Sequence, residues 1–155
     1  MDRKDDIENA CSCFLLRKAS RHVTMFYSRA LAPTGLTATQ YSLLVELDAA
    51  GPVTMNTFAR IMVMDRSTLG RNVRPLEREG LISLDVDAED RRARKLSLSA
   101  AGKKRLKEAR PIWRIAEDGF RRSIGRDRSF ALLALAATVS EKNLDEGLSA
   151  NPDTA

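Results

Sequence analysis

Several residue types that carry chemistry are scarce in this chain of 155 residues. It contains one histidine and two cysteines, and the two thiols stand together at Cys11 and Cys13. Thiols this close in sequence cannot cross-link distant parts of a fold, so we expect reduced cysteines and a cytoplasmic protein. A single histidine beside a C-x-C pair also lacks the four ligands of a structural zinc site. We therefore predict no metal and no other cofactor.

Long apolar runs are absent as well. No run approaches the roughly 20 residues that cross a membrane, and the first residues, MDRKDDIENACS, lack the apolar segment of a signal peptide. We find no paired carboxylates, no phosphate-binding glycine loop and no Ser/His/Asp set, so we do not expect an enzyme. The 43% apolar and 30% charged residues are typical of an ordinary folded domain.

Positive charge is concentrated in one segment. The net charge is +5, but residues 60–107 contain 13 Lys/Arg against 7 Asp/Glu, while the remainder contains 13 against 14. Within this segment, residues 87–99 read DAEDRRARKLSLS, where four cations among five residues follow three carboxylates. Such a cluster is typical of a protein that binds a polyanion such as nucleic acid, although a solvated charged face is the other interpretation.

Helical periodicity and helix-capping residues run through the first half of the chain. Apolar residues at helical spacing predict a helix from Ile7 to Leu31, ended by Pro33 and Gly35. The TATQ sequence at residues 37–40 is a capping box that predicts the start of a second helix. The AAGP sequence at residues 49–52 predicts its end.

Two shorter helices are predicted next. Thr54 can cap a helix at residues 55–62, and Asp65 can cap one at residues 66–79 with Gly80 as its left-handed terminator. The second of these helices is rich in hydrogen-bond donors, which are Arg66, Ser67, Thr68, Arg71, Asn72 and Arg74.

A β-hairpin and two more helices complete the predicted order. LISLDV and ARKLSLS alternate with period two around a polar DAEDRR, which predicts a hairpin with a charged tip. Ser99 can cap a long helix to about Ser123, bent or interrupted near Pro111. Asp127 or Ser129 is expected to open a last helix through FALLALAATV, whose apolar run we expect to be buried.

This order of elements resembles the MarR-type transcriptional regulators, which are winged helix-turn-helix proteins. The resemblance extends over residues 7–147 and is carried by GLTATQYSLLVEL, MVMDRSTLGRNVRPLEREGLI and, most specifically, DAEDRRARKLSLSAAG. It implies a mainly α fold with a small β-wing, in which residues 36–99 form the DNA-binding lobe. Residues 7–32 and 100–147 would then form a helical dimerisation region, with flexible tails at residues 1–6 and 148–155.

The resemblance also implies how the charged hairpin tip is used. An Asp-x-Arg element, here Asp90 and Arg92, is expected to reach the DNA backbone and the minor groove. A planar, weakly hydrated guanidinium enters a narrow minor groove better than an ammonium does, and a carboxylate two residues earlier can hold it extended. The flanking phosphates would be contacted by Arg91, Arg94 and Lys95.

The donor-rich helix is expected to enter the major groove of double-stranded DNA. Arg66 and Arg71 are the candidate readers of guanine, and the predicted DNA-contacting set also includes Ser67, Thr68, Asn72 and Arg74. The resemblance implies a homodimer on a pseudo-palindromic operator. Apolar side chains of the terminal helices favour the same assembly, namely Ile7, Phe14, Leu15, Leu16, Phe130, Leu132, Leu133, Leu135 and Val139.

The sequence is compatible with two ways of regulating such a protein, oxidation of a cysteine and binding of a small molecule. Cys13 with Phe14 and Tyr27 is similar to the peroxide-sensing branch of the family, although Arg17 and Ala38 stand where that branch has two further tyrosines. The other family mode is binding of a small aromatic or phenolic acid, for which the candidate pocket residues are Arg17, Arg21, His22, Tyr27 and Trp113. Simple packing is a further interpretation of Cys13, His22 and Trp113.

Three functions of different classes therefore follow. A transcriptional regulator, most simply a repressor, explains the helix-turn-helix, the charged hairpin and the apolar terminal helices. A DNA architectural protein without a sensor explains the charge alone. A thiol enzyme at Cys13 needs a base, and His22 lies nine residues along the same predicted helix, about 13 Å away by helical rise.

Overall fold

The computed structural model describes residues 11–86 and 94–141. It confirms a mainly helical fold with a small antiparallel sheet, and the described residues divide into two compact units, one up to Ala116 and one from Glu117 onward. The elements are α1 (Ser12–Leu31), α2 (Ala38–Ala50), β1 (Val53–Thr54), α3 (Met55–Ile61), α4 (Arg66–Arg78), β2 (Ile82–Val86), β3 (Arg94–Leu98), α5 (Ala100–Ile124) and α6 (Arg126–Glu141).

Local sequence signals set the boundary between α1 and α2. Helix α1 ends at Leu31 and is followed by a 3-10 turn, Ala32–Thr34, and by Gly35 with a φ of 75°. The capping box of α2 is complete, because the Gln40 backbone N–H donates to Thr37 Oγ1 at 3.2 Å and the Thr37 N–H donates to Gln40 Oε1 at 2.8 Å. The capping box is thus confirmed, and residues 7–10 of the first predicted helix lie outside the described part of the chain.

Helices α3 and α4 form the helix-turn-helix. The Thr57 backbone N–H donates to Thr54 Oγ1 at 3.2 Å, and the Thr68 N–H donates to Asp65 Oδ1 at 2.8 Å. Each helix therefore has the N-cap that its sequence predicts. Gly80, with a φ of 70°, follows the end of α4 in the left-handed conformation that glycine adopts without strain.

The three strands pair in the order β1-β3-β2, all antiparallel. Strands β2 and β3 form the wing, in which Val86 pairs with Arg94 at the outer end, and β1 adds Val53 opposite Leu96. The predicted hairpin is confirmed. Its charged tip, including Asp90, Arg91 and Arg92, lies outside the described residues.

One hydrophobic core occupies the first unit. Gly102, in the first turn of α5, lies against the backbone at the start of β2, where a Cβ atom would stand 2.1 Å from the Leu81 carbonyl oxygen. Ser99 caps α5 as predicted, accepting from the Gly102 N–H at 3.0 Å. The largest fully buried side chains are Phe58, Leu31, Leu43, Leu44, Leu47, Leu69, Leu76, Leu96 and Leu106.

The last helix differs from its prediction in two ways. Helix α6 begins at Arg126, directly after Gly125 with a φ of 89°, so Asp127 falls in its first turn and neither Asp127 nor Ser129 is its cap. Its apolar run is also exposed and not buried, with Phe130 at 76%. A helix that is apolar all round has to be covered by other elements, and the described residues leave its apolar side chains uncovered. Helix α5 continues through Pro111 without the interruption that was one of the two expectations there.

Two absences can be stated for the described residues. Within residues 11–86 and 94–141, no helix has the length and apolar character needed to traverse a lipid bilayer. The same residues contain no group of three or more His, Cys, Asp or Glu side chains placed to hold a metal ion.

Candidate nucleic-acid interface

A cleft of about 1000 Å³ separates the outer face of α4 from the wing. Helix α4 forms one wall, the wing forms the other, and the start of α3 closes one end. The lining residues are Thr54, Met55, Asn56, Arg66, Ser67, Gly70, Arg71, Val73, Arg74, Glu77, Leu84 and Arg94. We refer to this surface as the cleft.

The cleft is positively charged. Four arginines line it, Arg66, Arg71 and Arg74 from α4 and Arg94 from the wing, and all four are exposed. Glu77 is the one carboxylate among the described lining residues. Arginine forks bind phosphate and guanine edges in a planar, bidentate manner, and a helix fits the major groove of B-DNA, which is about 12 Å wide. The arrangement is therefore suited to a nucleic-acid duplex.

Asp65 organises the polar groups at the start of α4. Its carboxylate accepts from the Ser67 hydroxyl at 2.5 Å and from the Thr68 backbone N–H at 2.8 Å. The hydrogen bond from Ser67, followed by those from Thr68, holds the pKa of Asp65 well below its ordinary value of 3.8. The carboxylate is thus ionised at neutral pH, next to the positive end of the α4 dipole.

The six residues predicted on α4 do not share one environment. Ser67 and three arginines line the cleft, while Thr68 and Asn72 are half-buried and do not line it. Arg71 Nη2 donates to Thr68 Oγ1 at 2.9 Å, and the Asn72 amide donates to the Thr68 carbonyl at 2.9 Å. Arg66 and Arg74 make no hydrogen bond or ion pair with the described residues.

The two described cations of the wing lie on opposite faces of β3. Arg94 lines the cleft, whereas Lys95 is half-buried, pairs in register with Thr54 and Asp85, and has interactions of its own. Asp90 and its neighbours at the wing tip lie outside the described residues, so their contacts with DNA stay predictions.

Seven cleft residues lie outside the predicted DNA-contacting set, namely Thr54, Met55, Asn56, Gly70, Val73, Glu77 and Leu84. Asn56 is exposed in the first turn of α3, Leu84 lies on β2, and Glu77 lies on α4. Glu77 could have been identified, because it follows Arg74 by three residues and so shares its helix face. Asn56 could not, since nothing local indicates that the start of α3 closes this cleft.

The candidate sensor residues of α1 are mostly exposed. Cys13, Arg17, Arg21 and His22 are exposed, and Cys13 is a free thiol. Tyr27 is half-buried and packs edge-to-face on its neighbour Phe26, with ring centroids 5.1 Å apart. The proposed roles of these residues in sensing stay predictions.

Trp113 has a different neighbour from those expected. It stacks on Tyr41 with ring centroids 5.9 Å apart and an interplanar angle of 17°. Burial raises the pKa of the Tyr41 hydroxyl, and the positive charges of Arg110 and Arg114 oppose this shift. Beside the two rings lies a shallow groove of about 330 Å³, lined by Tyr41, Ser42, Val45, Glu46, Arg110, Trp113 and Arg114. None of the candidate residues of α1 lines it.

Comparison with known proteins identifies similar regulators. The model of the MarR family matches residues 34–93. The organic hydroperoxide resistance transcriptional regulator of Bacillus subtilis is 31% identical over 90 residues, which are 58% of this chain and 61% of that protein. The crystal structure of the M. tuberculosis transcriptional regulator MosR in complex with DNA is 34% identical, with a TM-score of 0.69, covering 86% of this chain and 100% of MosR. CouR from Rhodococcus jostii RHA1, solved with p-coumaroyl-CoA, is 26% identical, with a TM-score of 0.71, covering 90% and 95%.

Proposed function

Because the chain belongs to the MarR family of DNA-binding transcriptional regulators, we propose that it is a homodimeric repressor of a pseudo-palindromic site in double-stranded DNA. A small aromatic molecule or an oxidant is the proposed signal for release. The observation that carries the DNA-binding part is the cleft, in which three arginines of α4 face a fourth on the wing. A protein that binds chromosomal DNA works where the chromosome lies, so the cytoplasmic location expected from the sequence belongs to the same proposal.

Two kinds of DNA contact are assigned within this proposal. Helix α4 enters the major groove, where Arg66 and Arg71 stand near its start, within reach of base edges. Arg94 contacts the backbone, and Asp90 with Arg92 at the wing tip contacts the backbone and minor groove. MosR, which is 34% identical, has been solved in complex with DNA, and this supports the assignment.

The homodimer is supported by apolar side chains that the single chain leaves exposed. On α1 these are Phe14, Leu15, Leu16 and Met25, and on α6 they are Phe130, Leu132, Leu133, Leu135 and Val139. Soluble monomers seldom expose this many large apolar residues. A two-fold axis would cover the same patch on both copies and present two α4 helices to successive turns of DNA.

Both proposed signals have support. Cys13 is an exposed free thiol on α1, with Arg17 one helical turn beyond it, and a relative regulates organic hydroperoxide resistance. A small aromatic effector is supported by CouR, which has been solved with p-coumaroyl-CoA. The chain needs no catalytic group for either response, so the protein is proposed as a non-enzyme.

The wing provides the sharpest test of this function. A binding site is first selected from a random pool of DNA duplexes, and affinity is then measured by fluorescence anisotropy at several salt concentrations. Arg92→Ala should weaken binding strongly, because it loses a groove contact and part of the counterion-release contribution. Asp90→Ala should also weaken binding, although it removes a negative charge.

The sign of the Asp90→Ala effect separates two mechanisms. A purely electrostatic binder gains affinity when a carboxylate is removed, whereas a binder that uses Asp90 to orient Arg92 loses affinity. Tighter binding of Asp90→Ala at every salt concentration would exclude the orienting mechanism. A wild-type protein that binds all duplexes equally would point instead to an architectural protein without sequence preference.

A further inference from the structure

The first two turns of α4 contain a directed chain of hydrogen bonds. Arg71 Nη2 donates to Thr68 Oγ1 at 2.9 Å, and the Thr68 backbone N–H donates to Asp65 Oδ1 at 2.8 Å. The Thr68 hydroxyl is also among the groups that lower the pKa of Asp65. Each bond therefore donates toward the N-terminus of the helix, and the ionised Asp65 carboxylate is the final acceptor.

This direction determines which groups can donate to DNA. A hydroxyl has a single proton, and the Ser67 proton is given to Asp65 at 2.5 Å. The Thr68 hydroxyl oxygen accepts from Arg71 at 2.9 Å. The Ser67 hydroxyl therefore keeps no donor for a phosphate or a base acceptor. Arg71 has five N–H donors, and its Nε and Nη1 make no hydrogen bond with described residues.

Thr68 and Arg71 also differ in their access to the cleft. Arg71 is exposed and lines it, whereas Thr68 is half-buried and does not. Arg66 and Arg74 line the same cleft without any such support from described residues. Arg71 is thus the cleft arginine of α4 whose guanidinium is held by its own helix before DNA arrives.

Resting on the proposed DNA-binding function, we propose that Thr68 is a positioning residue that holds the Arg71 guanidinium for bidentate contact with a guanine edge. Thr68 therefore leaves the predicted set of DNA-contacting residues, yet the specificity at one base pair depends on its hydroxyl. Pre-orientation reduces the side-chain freedom that Arg71 loses on binding.

The test combines conservative variants of Thr68 with the loss of Arg71. Thr68→Val removes the hydroxyl and keeps the shape, while Thr68→Ser keeps the hydroxyl and is the rescue variant. Affinities are measured on the selected site, on that site with single base-pair changes, and on a scrambled duplex.

Thr68→Val should weaken binding to the selected site by about tenfold, a loss typical of one hydrogen bond to a charged group. Its affinity for the scrambled duplex and its salt slope should be unchanged, since no phosphate contact is lost. Thr68→Ser should bind like the wild type. In a protein that already carries Arg71→Ala, Thr68→Val should cause no further loss, because the two residues act as one unit.

Three results would overturn this inference. In the first, the affinity losses caused by Thr68→Val and by Arg71→Ala multiply in the double variant. In the second, Thr68→Ser loses as much affinity for the selected site as Thr68→Val does. A wild-type protein that selects no sequence at all would overturn the proposed function and this inference with it. Thermal unfolding and retained affinity for the scrambled duplex distinguish a misfolded variant from one that lacks only positioning.

Discussion

Helices α4 and α6 have similar lengths but place their apolar residues in opposite environments. In α4, Leu69, Val73 and Leu76 are buried, and exposed arginines of the same helix line the cleft. In α6, Ser129 is the one buried residue of the described helix, while Phe130 and Leu135 are exposed by 76% and 65%.

The difference shows which surfaces one copy of the chain can complete. A stripe repeating every 3.6 residues needs one apolar partner, and α4 finds it in the core of its own unit. A helix that is apolar on all sides needs partners around it, and the described chain leaves these side chains of α6 uncovered. The cleft is therefore formed within a single copy, and we expect α6 to be covered only in the proposed dimer.

The largest expected effects come from the same substitution made in the two helices. Leu76 is 0% exposed in α4 and Leu133 is 48% exposed in α6. Leu76→Ala should lower the free energy of unfolding by about 2–5 kcal/mol, because it removes buried methyl groups and leaves a cavity. Leu133→Ala should instead weaken dimerisation. Urea denaturation and sedimentation velocity, each at several protein concentrations, measure the two effects.

The concentration dependence makes this pair of variants decisive. The stability lost with core packing in α4 does not depend on protein concentration. The effect of a lost interface contact, in contrast, becomes smaller at high protein concentration, because mass action favours the dimer. Suppose that Leu133→Ala lowers stability as much as Leu76→Ala and leaves sedimentation unchanged. Helix α6 would then pack within its own chain, and the comparison drawn above would fail.

The same comparison explains what the sequence could predict. Helix starts depend on side chains three residues apart, so the caps at Thr37, Thr54 and Asp65 were predictable from local spacing. The hairpin follows from its alternation. The exposure of α6 was not predictable, since an apolar sequence does not tell whether the surface that covers it belongs to the same chain. The bond from Arg71 to Thr68 was not predictable either, because a rotamer decides it and not the spacing alone.

Gly70 offers a smaller effect that separates helix stability from DNA access. It lies inside α4 and lines the cleft, and a Cβ atom added there would meet nothing within 4 Å. Gly70→Ala should therefore raise the stability of the free protein by about 0.5–1 kcal/mol, since alanine restricts the unfolded chain. It should nevertheless weaken DNA binding if the α4 backbone approaches the duplex closely at this point.

Thermal unfolding and anisotropy on the selected duplex give the two readouts for Gly70→Ala. A matched variant without cleft access is Gly51→Ala, but its φ of 71° would add strain. The scrambled duplex is therefore the better control. If Gly70→Ala gains stability and binds the selected site as tightly as the wild type, close approach of the backbone is not needed.

The smallest expected effect is a pH dependence at the start of α4. Hydrogen bonds from Ser67 and Thr68 lower the folded-state pKa of Asp65 below its ordinary value of 3.8. A group with a lowered pKa stabilises the fold fully above its ordinary value, and this contribution is lost as the pH falls toward the folded-state pKa. Asp65→Ala should therefore melt at a lower temperature than the wild type at pH 7, and the difference should shrink below about pH 4.

Asp127→Ala is the comparison for α6, because Asp127 lies in the first turn of that helix without a hydrogen bond to described residues. Its melting temperature should follow that of the wild type more closely across the same pH range, as circular dichroism can measure. A deficit in Asp65→Ala that is as large at pH 3 as at pH 7 would mean that the ionised carboxylate is not what fixes the start of α4. The directed chain from Arg71 through Thr68 would then lack its final acceptor, and Arg71 would enter the groove as unsupported as Arg66.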